Sequence, residues 1–202
     1  MPRLVLASGS PRRLELLRQI GIEPDLVEPS GVDERALKSE PPQRTALRLA
    51  SEKARAGAMR HPGAIVLAAD TVVACGRRML ANAETAEAAR ACLAMLSGRR
   101  HRVHGGIAVA HADGRISARL VTTIVSFKRL AAEEIDAYLA AGEWRGKAGG
   151  YAVQGRAAAF VRRINGSYTN VVGLDLFSAA SMLRGAGVDA AMASIDHGSN
   201  AR

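Results

Sequence analysis

The sequence predicts a mixed α/β fold in which helices flank one continuous twisted sheet, with two lobes around a cleft. Three observations predict it. Short apolar runs alternate with amphipathic helical stretches through the first half of the 202 residues. In the second half two long strand candidates, His101 to Ala110 and Ile116 to Arg129, flank Ala112-Asp113-Gly114, and Asp-Gly is a hairpin signal. No internal repeat or low-complexity linker divides the chain, so one domain is expected over residues 1–190, followed by a polar tail at 191–202.

Each element follows from local chemistry. Leu4-Val-Leu-Ala7 is a strand, and Ser8-Gly-Ser10 is a small-residue turn. Pro11 suits the first helical position, where no amide donor is missed, and Ser10 is placed to cap the helix that carries Leu14 to Leu17. Asp25 to Glu28 is a second strand, and residues 29–42 form a loop with the Pro41-Pro42 pair. A helix from Gln43 to Met59 aligns Leu47, Ala50, Ala54 and Ala58 on one face, with Gly57 weakening its last turn. Ala64 to Ala69 is a buried strand that ends at Asp70-Thr71 and continues or bends into Val72-Val-Ala74. Gly76-Arg77-Arg78 is a hairpin turn. A helix from Glu84 to Leu96 stops at Ser97-Gly98. After the long hairpin, Ala131 to Ala141 is a helix with Glu133, Glu134 and Asp136 in its first turns, where carboxylates favour the dipole. A glycine-dense loop, Gly146 to Gly150, leads into Tyr151-Ala-Val-Gln-Gly155. Ala158 to Ile164 is expected as a strand, Gly166 to Asn170 as a turn before Val171-Val-Gly173, and Phe177 to Leu183 as the last helix.

Composition narrows the function classes. The net charge of +9 points to a polyanion, either nucleic acid or an anionic small molecule. Aromatic residues make up only 3%, which argues against a single-strand binder that stacks bases on rings, so an anionic small ligand is favoured and stable nucleic-acid binding is not expected. Cys75 and Cys92 show no metal-ligand spacing and read as reduced structural thiols. No apolar run approaches the ~20 residues of a membrane span, and Ser8 to Arg13 interrupts the N-terminus too early for a signal peptide. A cytoplasmic protein without membrane attachment is expected.

Several residues carry chemistry. Ser8-Gly-Ser-Pro-Arg-Arg13 presents a helix N-terminus, which offers free N–H groups and partial positive charge to an anion. Arg12 and Arg13 add permanent charges with planar donor forks suited to phosphate; a capped surface helix with two solvated arginines is the alternative. Asp70, at the carboxyl end of a buried strand, could hold a divalent cation, activate water, or simply bond local amides. Asp33 and Glu34 add loop carboxylates. Lys53 lies on a helix within reach of a phosphate, or on a solvated face. Lys147 sits in a loop whose amides could cradle an anion, or in a surface loop. Gln154 could bond a base edge; Ser167 and Asn170 could bind sugar or phosphate, or shape a turn. Carboxylates, a divalent metal and several cations around a polyphosphate fit phosphoanhydride hydrolysis. No Walker pattern is present, which argues against a P-loop NTPase.

These residues resemble the Maf family of nucleoside triphosphate pyrophosphatases. The matching segments are Ser8 to Arg13, Val32-Asp-Glu34, Glu52-Lys-Ala54, Ala69-Asp-Thr-Val-Val73, Leu96-Ser-Gly98 with His101 and Val103, Gly146 to Gly155, and Asn165 to Leu174. They occur in family order over about residues 3 to 185. The resemblance implies a Maf/inosine-triphosphatase-like sheet with a cleft, hydrolysis of a nucleoside triphosphate to the monophosphate and pyrophosphate, Mg²⁺ or Mn²⁺, and often a homodimer. It makes Asp70 the proton acceptor and links Arg13, Thr71 and Gln154 to substrate choice. Tyr151 to Gly155 and Trp144 to Gly149 look like the branch acting on dTTP and UTP, whereas the 7-methyl-GTP branch differs there. Members have also been connected with restraint of septum formation and with removal of modified nucleotides. The expected site is therefore Asp70 and Glu34 as catalytic carboxylates, with Asp70, Asp33 and Glu34 around the metal. Ser8, Ser10, Arg12, Arg13, Lys53, Thr71, Lys147, Gln154, Ser167 and Asn170 are expected on the substrate.

The chain departs from the family pattern at four places. Asn82, in Leu80-Ala-Asn-Ala83, stands where the family usually has a lysine beside a proline. An amide cannot neutralise phosphate charge, so lower affinity or rate is expected. That substitution motivates a competing reading, a catalytically weakened nucleotide-binding regulator of cell division. Gly105 replaces a common Thr. Asp175 replaces a Pro and could cap the last helix. The segment beyond Gly187 has no family counterpart.

Overall fold

The structure, a computed structural model, describes residues 3–188. The polar tail expected beyond them lies outside the described residues. Seven strands make one sheet in the order β2-β1-β3-β5-β6-β7, with β4 paired to β3. The strands are β1 (Leu4–Leu6), β2 (Leu26–Val27), β3 (Ile65–Cys75), β4 (Arg78–Leu80), β5 (Arg100–Ala110), β6 (Ile116–Phe127) and β7 (Val161–Asn165). The helices are α1 (Pro11–Gln19), α2 (Pro42–Arg60), α3 (Ala86–Leu96), α4 (Ala132–Ala140), α5 (Tyr168–Val172) and α6 (Leu176–Gly185). The β1 pairings with β2 and β3 are parallel and the other ladders are antiparallel, so the sheet is mixed, as expected.

Side-chain alternation along β1 and β3 divides the core between the two faces. Leu4, Leu6, Ile65 and Leu67 pack with Leu16, Leu17, Leu174 and Leu183 from α1 and the C-terminal segment. Val5, Val66 and Ala68 pack with Ala50 and Ala54 of α2. Alanine and glycine bring α2 unusually close. A Cβ on Gly106 would lie 2.0 Å from the Ala46 carbonyl oxygen, and one on Gly57 would lie 2.7 Å from Val66 Cγ1. Gly57 therefore marks a close approach of α2 to β3, and the helix runs past it to Arg60. A third cluster, with Leu93, Val103, Val125, Phe127, Tyr138, Trp144 and Phe160, lies under α3 and α4.

Five expectations are corrected. The strand does not stop at Asp70: β3 runs to Cys75, because antiparallel pairing with β5 continues from Val66 to Ala74. What stops there is the parallel partner, since β1 pairs only as far as Leu67. The strand expected from Ala158 begins at Val161, after a 3₁₀ turn over Arg156–Phe160. β6 ends at Phe127, where a bulge interrupts its pairing with β7. The turn expected at Gly166 to Asn170 is the start of α5, with the Ser167 hydroxyl accepting from the Asn170 amide. Ser10 occupies the cap position of α1 but makes no side-chain cap bond. Asp175 caps α6 as expected, accepting from the Ser178 amide at 2.9 Å.

The few aromatic residues are concentrated beneath the hairpin. His101, Phe127, Tyr151 and Phe160 meet edge to face, with centroids 4.9–6.1 Å apart. His101 Nε2 bonds the Tyr151 hydroxyl at 2.8 Å, while Nδ1 is buried without a partner among the described residues. Burial pushes this imidazole down to about 4. Its folded value lies below the unfolded one, so the unfolded chain takes up the proton first as pH falls. Stability is then expected to decline between pH ~6.5 and about 4, and His101→Gln should flatten that decline in denaturant titrations across the range. An equal slope in both proteins would contradict the assignment.

Candidate active site

The cavity opens where the β1–β3 parallel pair ends. It holds about 460 Å³ and is lined by the Ser8–Arg13 corner, residues from the Pro29–Glu34 loop, Lys53, Asp70, Thr71, Asn82, Lys147 and Gln154. Pairing through Asp70 keeps the backbone of β3 extended beside Gly106. Asp70 is nearly buried, and one oxygen, Oδ1, accepts from Lys53 Nζ at 2.7 Å. The second oxygen accepts no hydrogen bond from the described residues. Lys53 is itself buried on α2 and reaches Glu34 Oε1 at 2.6 Å. One ammonium thus joins a buried carboxylate to one that is half exposed.

The loop that carries Glu34 is fastened to α2. Arg48 binds Glu40 and Glu52 and donates to the Arg35 carbonyl. Bonding to Arg48 holds the Glu40 carboxyl down at about 2. Asp33 turns the other way, into a solvent-exposed pair with Arg35 at 2.7 Å, and does not line the cavity.

The other cations come from two segments, α1 and the loop that carries Lys147. Arg13 donates through Nε to the Gly173 carbonyl at 3.0 Å, and through its terminal nitrogens to Ser8 Oγ at 3.0 Å and Thr71 Oγ1 at 3.4 Å. Arg12 reaches the Val172 carbonyl at 3.3 Å. The α1 corner is thereby tied to the turn after α5, a role of the Val172 and Gly173 carbonyls that no local sequence signal marks. Lys147 lines the same cavity. Desolvation lowers the affinity of Arg12, Arg13 and Lys147 for their protons, and Arg12 adds repulsion against both Arg13 and Lys147. A pocket that holds desolvated, mutually repelling cations is prepared for an anion.

Of the expected residues, the fold gathers Ser8, Ser10, Arg12, Arg13, Glu34, Lys53, Asp70, Thr71, Lys147 and Gln154 around one cavity. Asp33, Ser167 and Asn170 lie outside its lining. Ser167 caps α5 and bonds Thr123. Asn170 is buried and donates to the Val103 carbonyl and Thr123 Oγ1 at 3.1 Å each, which ties α5 to β5 and β6. A Cβ on Gly105 would sit 1.9 Å from Asn170 Oδ1, so glycine there leaves the room that Asn170 fills. Asn82 lines the cavity, and its backbone bridges Ala148 in the Lys147 loop.

Asp70 and Glu34 fit a divalent cation. Both are hard oxygen donors; the oxygens that meet at 2.7 and 2.6 Å do so on Lys53 Nζ, so a metal would be taken by the carboxylate oxygens that Lys53 leaves free. Mg²⁺ is commonly held by one or two carboxylates together with substrate phosphates. No cluster of three potential ligand side chains exists among the described residues.

The fold and the cavity together define an anion-binding α/β protein with a carboxylate–lysine–carboxylate centre. The family profile described as Maf-like protein matches residues 3–186, and the chain belongs to this Maf family. A Paramagnetospirillum magneticum protein named dTTP/UTP pyrophosphatase is 64% identical over 93% of this chain and 98% of its own length. Proteins of the same name from Rhodospirillum rubrum and Caulobacter vibrioides are 59% and 56% identical, covering 91% and 92% of this chain and 88% and 96% of their own lengths.

Proposed function

We propose that this chain is a cytoplasmic, metal-dependent pyrophosphatase that hydrolyses dTTP and UTP to the monophosphate and pyrophosphate. The observation that carries this reading is the buried Asp70–Lys53–Glu34 centre, which shares one cavity with Arg12, Arg13 and Lys147. The names of relatives that are 56–64% identical supply the pyrimidine preference.

Water attacks the α-phosphorus as its proton passes to the free oxygen of Asp70. The bond from that phosphorus to the α,β-bridging oxygen breaks, and the electron pair leaves with pyrophosphate. Lys53 fixes Asp70 through Oδ1, leaving Oδ2 to take the proton. Arg12, Arg13 and Lys147 offset the charge that grows on the leaving group. Asp70 and Glu34 would hold Mg²⁺ or Mn²⁺, which when bound would polarise the phosphate oxygens. The Gln154 amide, with donor and acceptor both available, reads the pyrimidine edge beside the Arg13–Thr71 corner. Release of pyrophosphate from dTTP and UTP tests the assignment.

Asn82 favours a second reading, a nucleotide-binding regulator with little turnover. The structure places this amide on the cavity wall, where it leaves one phosphate cation fewer. Asn82→Lys adds a charge-assisted contact worth about 1.5–3 kcal/mol. It is expected to raise kcat/KM roughly tenfold to a hundredfold, measured on dTTP. Turnover that exists only in the variant would establish the regulatory reading.

A further inference from the structure

A second concave basic site lies on the β5–β6–β7 ladder, where β5 begins and β6 ends. It is a groove of about 450 Å³ lined by Arg99, Arg100, Arg162, Arg163, Ser126 and Asn165, together with Gly98, Ile124 and Phe127. It shares no residue with the first cavity. Arg100 is six positions along β5 from Gly106, the partner of Asp70, which is roughly 20 Å at the rise of a strand.

The register explains why the arginines converge. Arg100 pairs with Ser126, and Ser126 pairs with Arg163, so the three form one cross-strand row. Strand spacing puts the Cα atoms of Arg100 and Arg163 about 10 Å apart, with the Ser126 hydroxyl between them. Gly106 meets α2, and alternation sets Arg100 on the same sheet face, beyond the end that α2 covers. The left-handed turn at Gly98 delivers Arg99 to the rim.

The charge in this groove is uncompensated. No acidic side chain lines it, and none of its four arginines is paired with a carboxylate among the described residues. Elsewhere Arg18, Arg48, Arg60 and Arg90 each hold one. Arginine on an edge strand can serve to block strand addition, which accounts for Arg162 and Arg163. It does not account for Arg100, which lies on interior strand β5.

The groove reads charge rather than bases. Its only aromatic residue, Phe127, is buried and packed edge-on against His101 and Tyr151, so no ring face is free to stack on a base. Four lining arginines, two of them side by side in the Arg100–Ser126–Arg163 row, match a compact ligand with several negative charges. We propose that this groove is a second, base-independent binding site for condensed phosphate, either free pyrophosphate or the triphosphate tail of a nucleotide. The site does not depend on the reaction assigned to the first cavity.

Calorimetric titration of the full chain with pyrophosphate at low salt tests the proposal. Two equivalents per chain are expected. Arg100→Ala/Arg163→Ala should lose one of them while dTTP turnover stays unchanged, and Arg13→Ala should lose the other. A non-hydrolysable dTTP analogue distinguishes the sources: two equivalents mean that the groove accepts a nucleotide tail, and one means that it takes free pyrophosphate. A single equivalent that the native chain and Arg100→Ala/Arg163→Ala bind alike, or two equivalents retained in the double variant, would overturn the proposal. So would a groove that binds oligothymidylate, with loss in the double variant, but not pyrophosphate. A single equivalent lost in the double variant would overturn pyrophosphate binding in the first cavity instead.

Discussion

Asp70→Asn is expected to lower kcat for dTTP hydrolysis by at least about 10³-fold while nucleotide binding survives. A positioned general base contributes roughly 10²–10⁴-fold, and an amide can neither take the proton nor hold a cation as a carboxylate does. The change is nearly isosteric, so the cavity should keep its shape. Lys53 keeps its 2.6 Å partner, Glu34, so the ammonium is not left unpaired. Binding of a non-hydrolysable dTTP analogue should therefore stay within a few-fold of the native chain. Turnover near the native rate would remove Asp70 from the chemistry.

Lys53→Met is expected to damage both stability and activity. Among the described residues Lys53 is the only side chain bonded to the nearly buried Asp70, and it also holds Glu34. Its removal leaves the buried Asp70 carboxylate uncompensated beside the half-exposed Glu34. Breaking a buried pair from one side costs about 3–5 kcal/mol. The midpoint in denaturant should fall accordingly, and turnover should drop by at least about 10²-fold as Asp70 loses its orientation. Replacing both partners should be milder, because the charge that remains, Glu34, is half exposed. Lys53→Met/Asp70→Asn is thus expected to be more stable than Lys53→Met, although inactive. Simple additivity of the two single effects would contradict a direct Lys53–Asp70 coupling.

The parts of the site that were legible in the sequence are those set by local chemistry. Pro11 after a small-residue turn marked the start of α1, and Arg12 and Arg13 followed in its first turn. The apolar run ahead of Asp70 marked a buried strand, although its end was misjudged because partner strands decide where pairing stops. Asp33 and Glu34 are chemically similar neighbours. Only Lys53 and the fastening of their loop by Arg48 separate a cavity residue from a surface one. Ser167 and Asn170 sit in a polar, glycine-led segment that reads like a ligand loop. Their partners, Thr123 and Val103, are more than forty residues away, and no local pattern reports such contacts. Gly57 shows the same limit: propensity marks it as a weakness, whereas packing against Val66 leaves no room there for a side chain. Asn82 stood out only against the family pattern, and the fold then set it on the cavity wall.

The most direct measurement is pyrophosphate release from a panel of dTTP, UTP, CTP, GTP, 7-methyl-GTP and pseudo-UTP, with Mg²⁺ or Mn²⁺ present. Turnover of dTTP and UTP above CTP, GTP and 7-methyl-GTP, abolished in Asp70→Asn, is the predicted result. Nucleotide bound without release of pyrophosphate from any member of the panel would contradict the account.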